Sequence, residues 1–105
     1  MANDEAKFQV GQIIHHRMFG YIGVVFDVDP TCQATDEWYQ QVASSCPPKD
    51  KPWYHVLVHK AAHTTYVAEQ NLEPAPAPQT IVHPFVVKLF SDFDGKRYKT
   101  RQRAH

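Results

Sequence analysis

The stretch FQVGQIIHHRMFGYIGVVFDVDP, residues 8–30, holds two apolar runs separated by a polar bend that contains Gly20. The runs cover residues 13–14 and 22–28 and are rich in β-branched residues, which suit a pleated surface. Pro30 follows the second run, and proline has no backbone N–H to donate to a strand ladder. The stretch therefore predicts a β-hairpin that ends at Pro30, and the rest of the chain is interpreted around it.

Further strands are predicted on the C-terminal side of this hairpin. Residues 53–60, WYHVLVHK, carry large apolar groups on both faces, as in a central strand of a small closed sheet. A tight turn leads to the strand-like run 64–67, and residues 80–82 are predicted as a brief edge strand. Between them, the proline-rich residues 74–78 are predicted as a spacer outside the ladder. We therefore predict a mainly β fold, a small curled, SH3-like β-barrel of about five strands.

Two helices are predicted beside this barrel. Thr35 is a good N-cap for a short inserted helix over about residues 36–44, which Trp38 is expected to pin to the barrel. His83 and Pro84 begin a C-terminal helix, because proline is pre-organised for the first helical position. Its apolar face must dock either on the barrel or on a neighbouring subunit. That face is formed at i, i+4, i+8 spacing by Phe85, Leu89 and Phe93.

The chain is predicted to be one domain with disordered ends. Residues 8–93 hold the barrel and its C-terminal helix, residues 1–7 are a disordered N-terminus, and residues 94–105 are a disordered basic tail. The 105 residues carry 11 basic and 11 acidic side chains, but six basic and only two acidic ones lie from Lys88 onward. The tail is therefore either a solvated solubilising end or a contact for nucleic acid or a protein partner.

The sequence favours a cytoplasmic protein without a membrane span. The first seven residues lack the basic and apolar regions of a signal peptide, and no run approaches about 18 apolar residues. Cys32 and Cys46 lack the CxxC spacing of zinc or redox motifs, so free thiols are expected.

No catalytic or metal-binding set is apparent in the sequence. His55 and His59 share a strand face but lie about 13 Å apart along it, and His59 and His63 have no third ligand at fixed spacing. Asp27 and Asp29 are interpreted as solvated carboxylates at a strand end. There is no GxSxG, GxxxxGK[ST] or GxGxxG pattern. We predict a protein that is not an enzyme and has no metal or other cofactor.

A binding module remains, since small curled barrels use loops and aromatic faces to bind nucleic-acid strands or peptides. The alternative for each aromatic residue is that it fills the core. The candidate DNA or partner contacts fall in three groups. These are His16, Arg17, Phe19 and Tyr21 in the first bend, Trp53 and Tyr54 nearby, and the basic residues Lys96, Arg97, Lys99, Arg101 and Arg103.

Three motifs carry a family resemblance. The spacing H-x-x-F-G-Y-x-G-V-V-x-D-x-D-P (residues 16–30), then WYHV (53–56) and YVAEQNL (66–72), resembles the bacterial heat-shock protein Q family, also called the YccV-like hemimethylated-DNA-binding domain. The resemblance extends from residue 7 to about residue 99. It implies a small β-barrel, a cytoplasmic heat-shock role and binding to hemimethylated DNA. It also implies that the protein enhances degradation of selected or denatured proteins by the Lon protease, including the replication initiator.

Two hypotheses of function follow. The first is a protease adaptor that interacts with Lon and its client proteins, which the lack of a catalytic set and the apolar C-terminal face favour. The second is a DNA-binding protein that recognises hemimethylated DNA, where a methyl group on adenine N6 is read in the major groove. The part of the chain before Lys88 has more acidic than basic side chains, so it must overcome repulsion from DNA phosphates. The adaptor is therefore favoured on physical grounds. Exposed edge strands also allow self-association into a homo-oligomer.

Overall fold

The computed structural model describes residues 6–42 and 47–101 of the chain. Five strands form one antiparallel sheet in the order β4-β3-β2-β1-β5. They are β1 (Ile13–His16), β2 (Ile22–Asp29), β3 (Trp53–Val58), β4 (Thr64–Ala68) and β5 (Leu72–Pro74). The edge strands β4 and β5 are connected by a 3-10 helix, Glu69–Asn71. The predicted mainly β fold class is confirmed, with a sheet of five strands whose curl is compatible with the predicted barrel.

Smaller elements complete the described structure. Helix α1 (Asp36–Val42) lies between β2 and β3, and the single helical turn α2 (Val86–Leu89) follows the sheet. Strands β6 (Phe90–Phe93) and β7 (Tyr98–Thr100) then form a separate two-stranded hairpin. In the described part of the chain, no helix is long and apolar enough to cross a membrane.

The first hairpin forms where the sequence predicts it. Strand β1 pairs with β2 in a register that places Ile14 opposite Gly23, and β2 pairs with β3 on its other side. A Cβ at Gly23 would lie 2.5 Å from the Leu57 carbonyl oxygen, so only glycine permits this approach of the two strands. A bulge between Val25 and Asp27 increases the local curl of β2.

The sheet is buried on both faces. One face carries a cluster built from Phe8, Ile14, Val25, Tyr54, Val56, Val67 and Leu72. The other carries a cluster built from Ile13, Val24, Leu57, Ile81, Phe90 and Tyr98. Strand β3 is apolar at successive positions because both of its faces are covered. The second cluster depends on residues that follow the sheet in sequence.

The predicted C-terminal helix is wrong beyond its first turn. The helix ends at Leu89, and residues 90–93 are strand β6. Phe90, which the helical pattern placed beside the main apolar face, is 2 % exposed and packs with Tyr98 at a ring distance of 5.2 Å. Phe85 and Leu89 are instead exposed. Residues 90–93 pair with β7 and Phe90 joins the second core cluster, so tertiary packing overrides the local pattern.

The predicted disordered tail is also wrong over the residues that the structure describes. Asp94 accepts backbone N–H bonds from Lys96 and Arg97, both at 2.9 Å, and this caps the turn that leads into β7. These bonds hold the pKa of Asp94 below its usual value. Residues 102–105 lie outside the described residues. So do residues 1–5 of the predicted disordered N-terminus, whereas Lys7 donates its backbone N–H to Glu69 at 2.9 Å.

Two short strands differ from prediction. No strand forms at residues 80–82, where Ile81 is buried and its N–H is donated to the Tyr98 hydroxyl at 2.8 Å. Strand β5 forms instead and includes Pro74, opposite Ile14. Proline is tolerated there because it is the last residue of an edge strand.

Candidate binding groove

A groove of about 460 Å³ runs beside β4, between the bend that joins β1 to β2 and helix α1. Both tryptophans of the chain contribute to it. Its lining consists of His16, Met18, Phe19, Tyr21, Trp38, Pro47, Trp53, His55, Thr64, Thr65, Tyr66, Val67, Ala68 and Asn71. Among these described residues there is no lysine, arginine or carboxylate. The groove is therefore an aromatic-rich surface without these permanently charged side chains, and we call it the aromatic groove.

His16 fixes the conformation of the bend at one side of the aromatic groove. Its Nδ1 accepts the backbone N–H of Met18 at 3.1 Å and of Phe19 at 3.0 Å, so Nδ1 carries no proton. Its ring stacks on Phe19, with centroids 4.7 Å apart. Phe19 nevertheless remains 70 % exposed. The bend thus holds a large apolar side chain in solvent at the mouth of the groove.

Tyr21 connects this bend to the strand that borders the groove. Its hydroxyl forms a hydrogen bond of 2.7 Å with the Thr65 hydroxyl, and its ring lies 5.0 Å from that of His16. Burial raises the pKa of Tyr21, although the bond to Thr65 partly offsets this effect. The phenol therefore stays protonated and continues to tie the bend to β4.

The opposite wall is a stack of aromatic rings on three elements. Trp53 on β3 is 2 % exposed, and its ring lies 6.0 Å from Trp38 on α1 and 5.2 Å from Tyr66 on β4. Trp53 Nε1–H is donated to the Pro48 carbonyl at 3.0 Å. Thr35 caps the helix that carries Trp38, because the Trp38 backbone N–H is donated to Thr35 Oγ1 at 3.1 Å. The predicted role of Trp38 in pinning α1 is confirmed.

A hydrogen-bonded carboxylate lies behind this wall. Asp29 Oδ2 accepts the Tyr66 hydroxyl at 2.6 Å and pairs with His55 Nε2 at 3.0 Å. Burial opposes ionisation of Asp29, but these two hydrogen bonds outweigh it and lower its pKa. Burial and the bond to Asp29 raise the pKa of Tyr66. The network fixes the orientation of two rings that line the aromatic groove.

Asp27 lies beside this network. In the described chain, one ligand atom each from Asp27, Asp29 and His55 fall within 4.8 Å of one another. His59 and His63 each form a hydrogen bond with the segment at residues 82–83. His59 Nδ1 accepts the Val82 N–H at 2.9 Å, and the His63 carbonyl pairs with His83 Nε2 at 3.0 Å.

The predicted contact residues separate into different locations. His16, Phe19, Tyr21 and Trp53 all line the aromatic groove. Tyr54 does not, because it points into the first core cluster and donates its hydroxyl to Glu69 at 2.5 Å. Arg17 is exposed in the bend but is not part of the lining. The basic residues Lys96, Arg97, Lys99 and Arg101 lie on or beside the β6–β7 hairpin, and Arg103 lies outside the described residues.

Several groove residues were not singled out from the sequence. The sequence does not predict that β4 (Thr64–Ala68) borders a groove. That position follows from the register of β4 on β3, which places Tyr66 opposite His55. The alternation within TTYVA predicts a strand, but it does not predict that this strand lies at the edge of the sheet. Cys32 is a free thiol, as expected, and Cys46 lies outside the described residues.

A comparison with known protein families matches residues 6–97 to the YccV-like family, described as hemimethylated DNA-binding protein YccV like. The match covers both walls of the aromatic groove and most of the hairpin. The chain belongs to the YccV-like family. This YccV-like chain is also 37 % identical over 93 residues to F-box only protein 21 of Pongo abelii and of Homo sapiens, and 36 % identical to that of Mus musculus. The alignments cover 87 % of this chain but only 15 % of each relative.

We expect the stability of this YccV-like chain to fall in mild acid because of His16. Burial, reinforced by the neighbouring His15, lowers the pKa of His16 below 6.5. The unfolded chain then binds the proton more readily, so this contribution to stability is complete above pH 6.5 and is lost as the pH falls through the folded pKa. The variant His16→Asn keeps an acceptor for the bend but does not titrate. Between about pH 7.5 and 5.5, urea unfolding should show a larger loss of stability in the parent chain than in this variant.

An equal loss in both proteins would contradict the assignment to His16. His15, which pairs with Glu73 at 2.8 Å, is present in both proteins and serves as the internal control.

Proposed function

We propose that this chain is a non-enzymatic, cytoplasmic binding protein that captures selected or denatured proteins in the aromatic groove and promotes their degradation by the Lon protease. The observation that carries the proposal is the exposure of Phe19 and Met18 at the mouth of a preformed groove. Large apolar side chains that are held in solvent beside a concave aromatic surface are typical of binding sites. The choice of Lon as the protease rests on the resemblance to the heat-shock protein Q family.

The chemistry of the groove suits such clients. Denatured proteins expose apolar side chains that a folded protein buries, and aromatic walls bind them without a specific sequence. The described lining contains no lysine or arginine, so a phosphate in this groove would lack the side chains that usually hold one. A protein segment therefore suits the aromatic groove better than a nucleic acid does.

We expect this chain to increase the rate at which Lon degrades a permanently unfolded protein, and Phe19→Ala to remove most of that increase. The substitution deletes an exposed ring at the groove mouth without touching either core cluster. The measurement is the initial rate of peptide release by Lon and ATP, with and without the chain. Val87→Ala is the matched control, because Val87 is 68 % exposed, against 70 % for Phe19, but does not line the groove.

The proposal requires stimulation by the parent chain and by Val87→Ala but not by Phe19→Ala. No change in Lon turnover with the parent chain would contradict it. Equal stimulation by both variants would assign the adaptor activity to a surface other than the aromatic groove.

A second candidate function is recognition of hemimethylated DNA, which the description of the family favours. The observation that supports it is the set of exposed cations on the β6–β7 hairpin. Lys96 and Lys99 are exposed there, and Asp94 is turned toward backbone N–H groups of the same turn. Such a hairpin can contact DNA phosphates, whereas the methyl group must be read by a residue that reaches a base.

Fluorescence anisotropy with hemimethylated, fully methylated and unmethylated duplexes across a salt series tests this candidate. Phe90 and Tyr98 belong to the core, so the cations are best neutralised by the double substitution Lys96→Gln and Lys99→Gln rather than by truncation. A preference for the hemimethylated duplex supports specific recognition. The substitutions should then lower the salt slope by about 0.9 for each phosphate that the protein no longer neutralises. Equal binding of all three duplexes would contradict it.

A further inference from the structure

All five residues of β4 line the aromatic groove. Successive side chains of a strand point to opposite faces of the sheet, so a pocket on one face touches only alternate residues. Here Thr65 bonds Tyr21 and Val67 joins the first core cluster, whereas Tyr66 packs on Trp53 at the other face. The groove therefore follows the edge of β4 instead of covering one face of it.

The first three residues of this edge are accessible for pairing, since Thr64 is exposed and Thr65 and Tyr66 are half-buried, whereas Val67 and Ala68 are buried. Strand β4 is the last strand of the five-stranded sheet, with β3 on one side and no other strand of the described chain on the other. An edge strand presents main-chain N–H and C=O groups that can pair with another chain, and proteins commonly block such edges with lysine or proline. The sequence of β4 is TTYVA, which contains neither.

We propose that the aromatic groove binds an extended segment of an unfolded polypeptide, which adds as a further strand to the free edge of β4. The inference rests on the proposed function, since it specifies the form in which a client is captured. Main-chain hydrogen bonds provide affinity that is independent of sequence, and the aromatic walls receive bulky apolar side chains at alternate positions of the segment. The three accessible strand residues span about 10 Å, so the part of the segment that pairs has roughly three residues.

Uncharged or basic clients fit this site better than acidic ones. The described lining has no lysine, arginine or carboxylate, while the Asp29 carboxylate lies directly behind Tyr66 and His55. Glu37 lies in the first turn of the helix that carries Trp38, beside Asp36, which is paired with Lys49 at 2.7 Å. Acidic segments would be repelled by Asp29 and Glu37, and the exposed cations of the β6–β7 hairpin do not line the groove.

The test uses two isomeric peptides in place of a client. The parent probe is the fluorescein-labelled peptide KTVTLTVTK, in which apolar and threonine residues alternate. The N–H groups of successive residues of a strand point to opposite edges, so the three apolar residues share one edge and the threonines share the other. One isomer carries N-methyl groups on the three apolar residues, and the other carries them on the last three threonines. Each isomer therefore blocks one edge and leaves the other free.

Strand addition predicts that the two isomers differ in affinity by about tenfold or more, because only one of them loses the hydrogen bonds to β4. Bound parent peptide should also slow amide hydrogen exchange within residues 64–68. Phe19→Ala should weaken binding of the parent peptide, and Val87→Ala should not. Equal affinity of the two isomers would overturn the inference, because side-chain capture alone does not distinguish the edges of the peptide.

Self-pairing of two copies through β4 would also overturn it. In that case exchange at residues 64–68 slows as the concentration of the chain alone rises, and sedimentation reports a dimer. Failure of this inference is distinguishable from failure of the proposed function. Strand addition without any effect on Lon turnover retains the inference and rejects the function, whereas Lon stimulation with equal binding of the isomers does the reverse.

Discussion

Replacing Gly11 by alanine is expected to lower the free energy of unfolding by about 4 kcal/mol. Gly11 is buried with φ at +93°, a left-handed conformation that disfavours any other residue. A Cβ there would lie 2.1 Å from the Tyr98 carbonyl oxygen, which is backbone and cannot rotate away. Gly11 also donates its N–H to Val25 at 2.7 Å and accepts that of Tyr98 at 2.8 Å. The new methyl group must therefore push β7 away from the sheet.

Gly20→Ala separates the two causes of this loss. Gly20 has a φ of +77°, but an added Cβ would meet no atom within 4 Å. It should therefore cost only the left-handed conformation, about 1 kcal/mol. Urea unfolding of both variants gives the comparison, and amide exchange at residues 98–100 shows whether β7 has detached. A loss in Gly11→Ala no larger than that in Gly20→Ala would contradict the close packing of Gly11 on Tyr98.

Replacing Trp53 by alanine is expected to destabilise the chain by about 3–5 kcal/mol and to abolish binding in the aromatic groove. The ring is almost completely buried and contacts the rings of Trp38, Tyr39 and Tyr66. Its loss leaves a cavity beneath α1 and an unpaired carbonyl at Pro48. The wall that receives a client and the anchor of α1 are therefore the same side chain.

Trp38→Ala is the comparison for this second prediction. Trp38 is half-buried and lines the same groove, so its removal should cost less stability and still weaken binding. Urea unfolding gives the stabilities, and anisotropy of the labelled peptide at a temperature where both variants are folded gives the affinities. Equal destabilisation by the two substitutions would contradict the assignment of Trp53 as the anchor.

The sequence predicted the parts of the fold that depend on local patterns. The first hairpin, its end at Pro30 and the central strand β3 were accessible because β-branched runs, glycine and proline act over a few residues. Helix α1 was accessible because Thr35 is an N-cap ahead of Trp38. These elements form near where they were predicted.

The C-terminal part was not predicted because its structure depends on contacts distant in sequence. Phe85, Leu89 and Phe93 have helical spacing, yet Phe90 and Tyr98 decide the outcome by filling the second cluster against Leu57. A hydrophobic pattern within ten residues cannot predict that cluster, because its members are distant in sequence. The basic tail was interpreted from composition, which does not show that Tyr98 N–H bonds the carbonyl of Gly11.

Of the two walls of the aromatic groove, only the one formed by the bend could be predicted from local sequence. The bend residues His16, Phe19 and Tyr21 are close in sequence, so their grouping was visible. The second wall joins Trp38, Trp53 and Tyr66 from three elements, and only the pairing of β3 with β4 brings them together. Tyr54 was grouped with Trp53 as its neighbour, but alternation along β3 sends it to the opposite face.

The most direct test of client capture uses the chain's own fluorescence. Trp38 and Trp53 are its two tryptophans, and both line the aromatic groove. Titration with a tryptophan-free protein, kept unfolded by reduction and carboxymethylation, therefore reports binding at this site without a label. We predict a saturable change in tryptophan emission at a client concentration that Phe19→Ala raises several-fold and Val87→Ala leaves unchanged. An emission that stays constant during this titration, but changes when a hemimethylated duplex is added, would contradict the account.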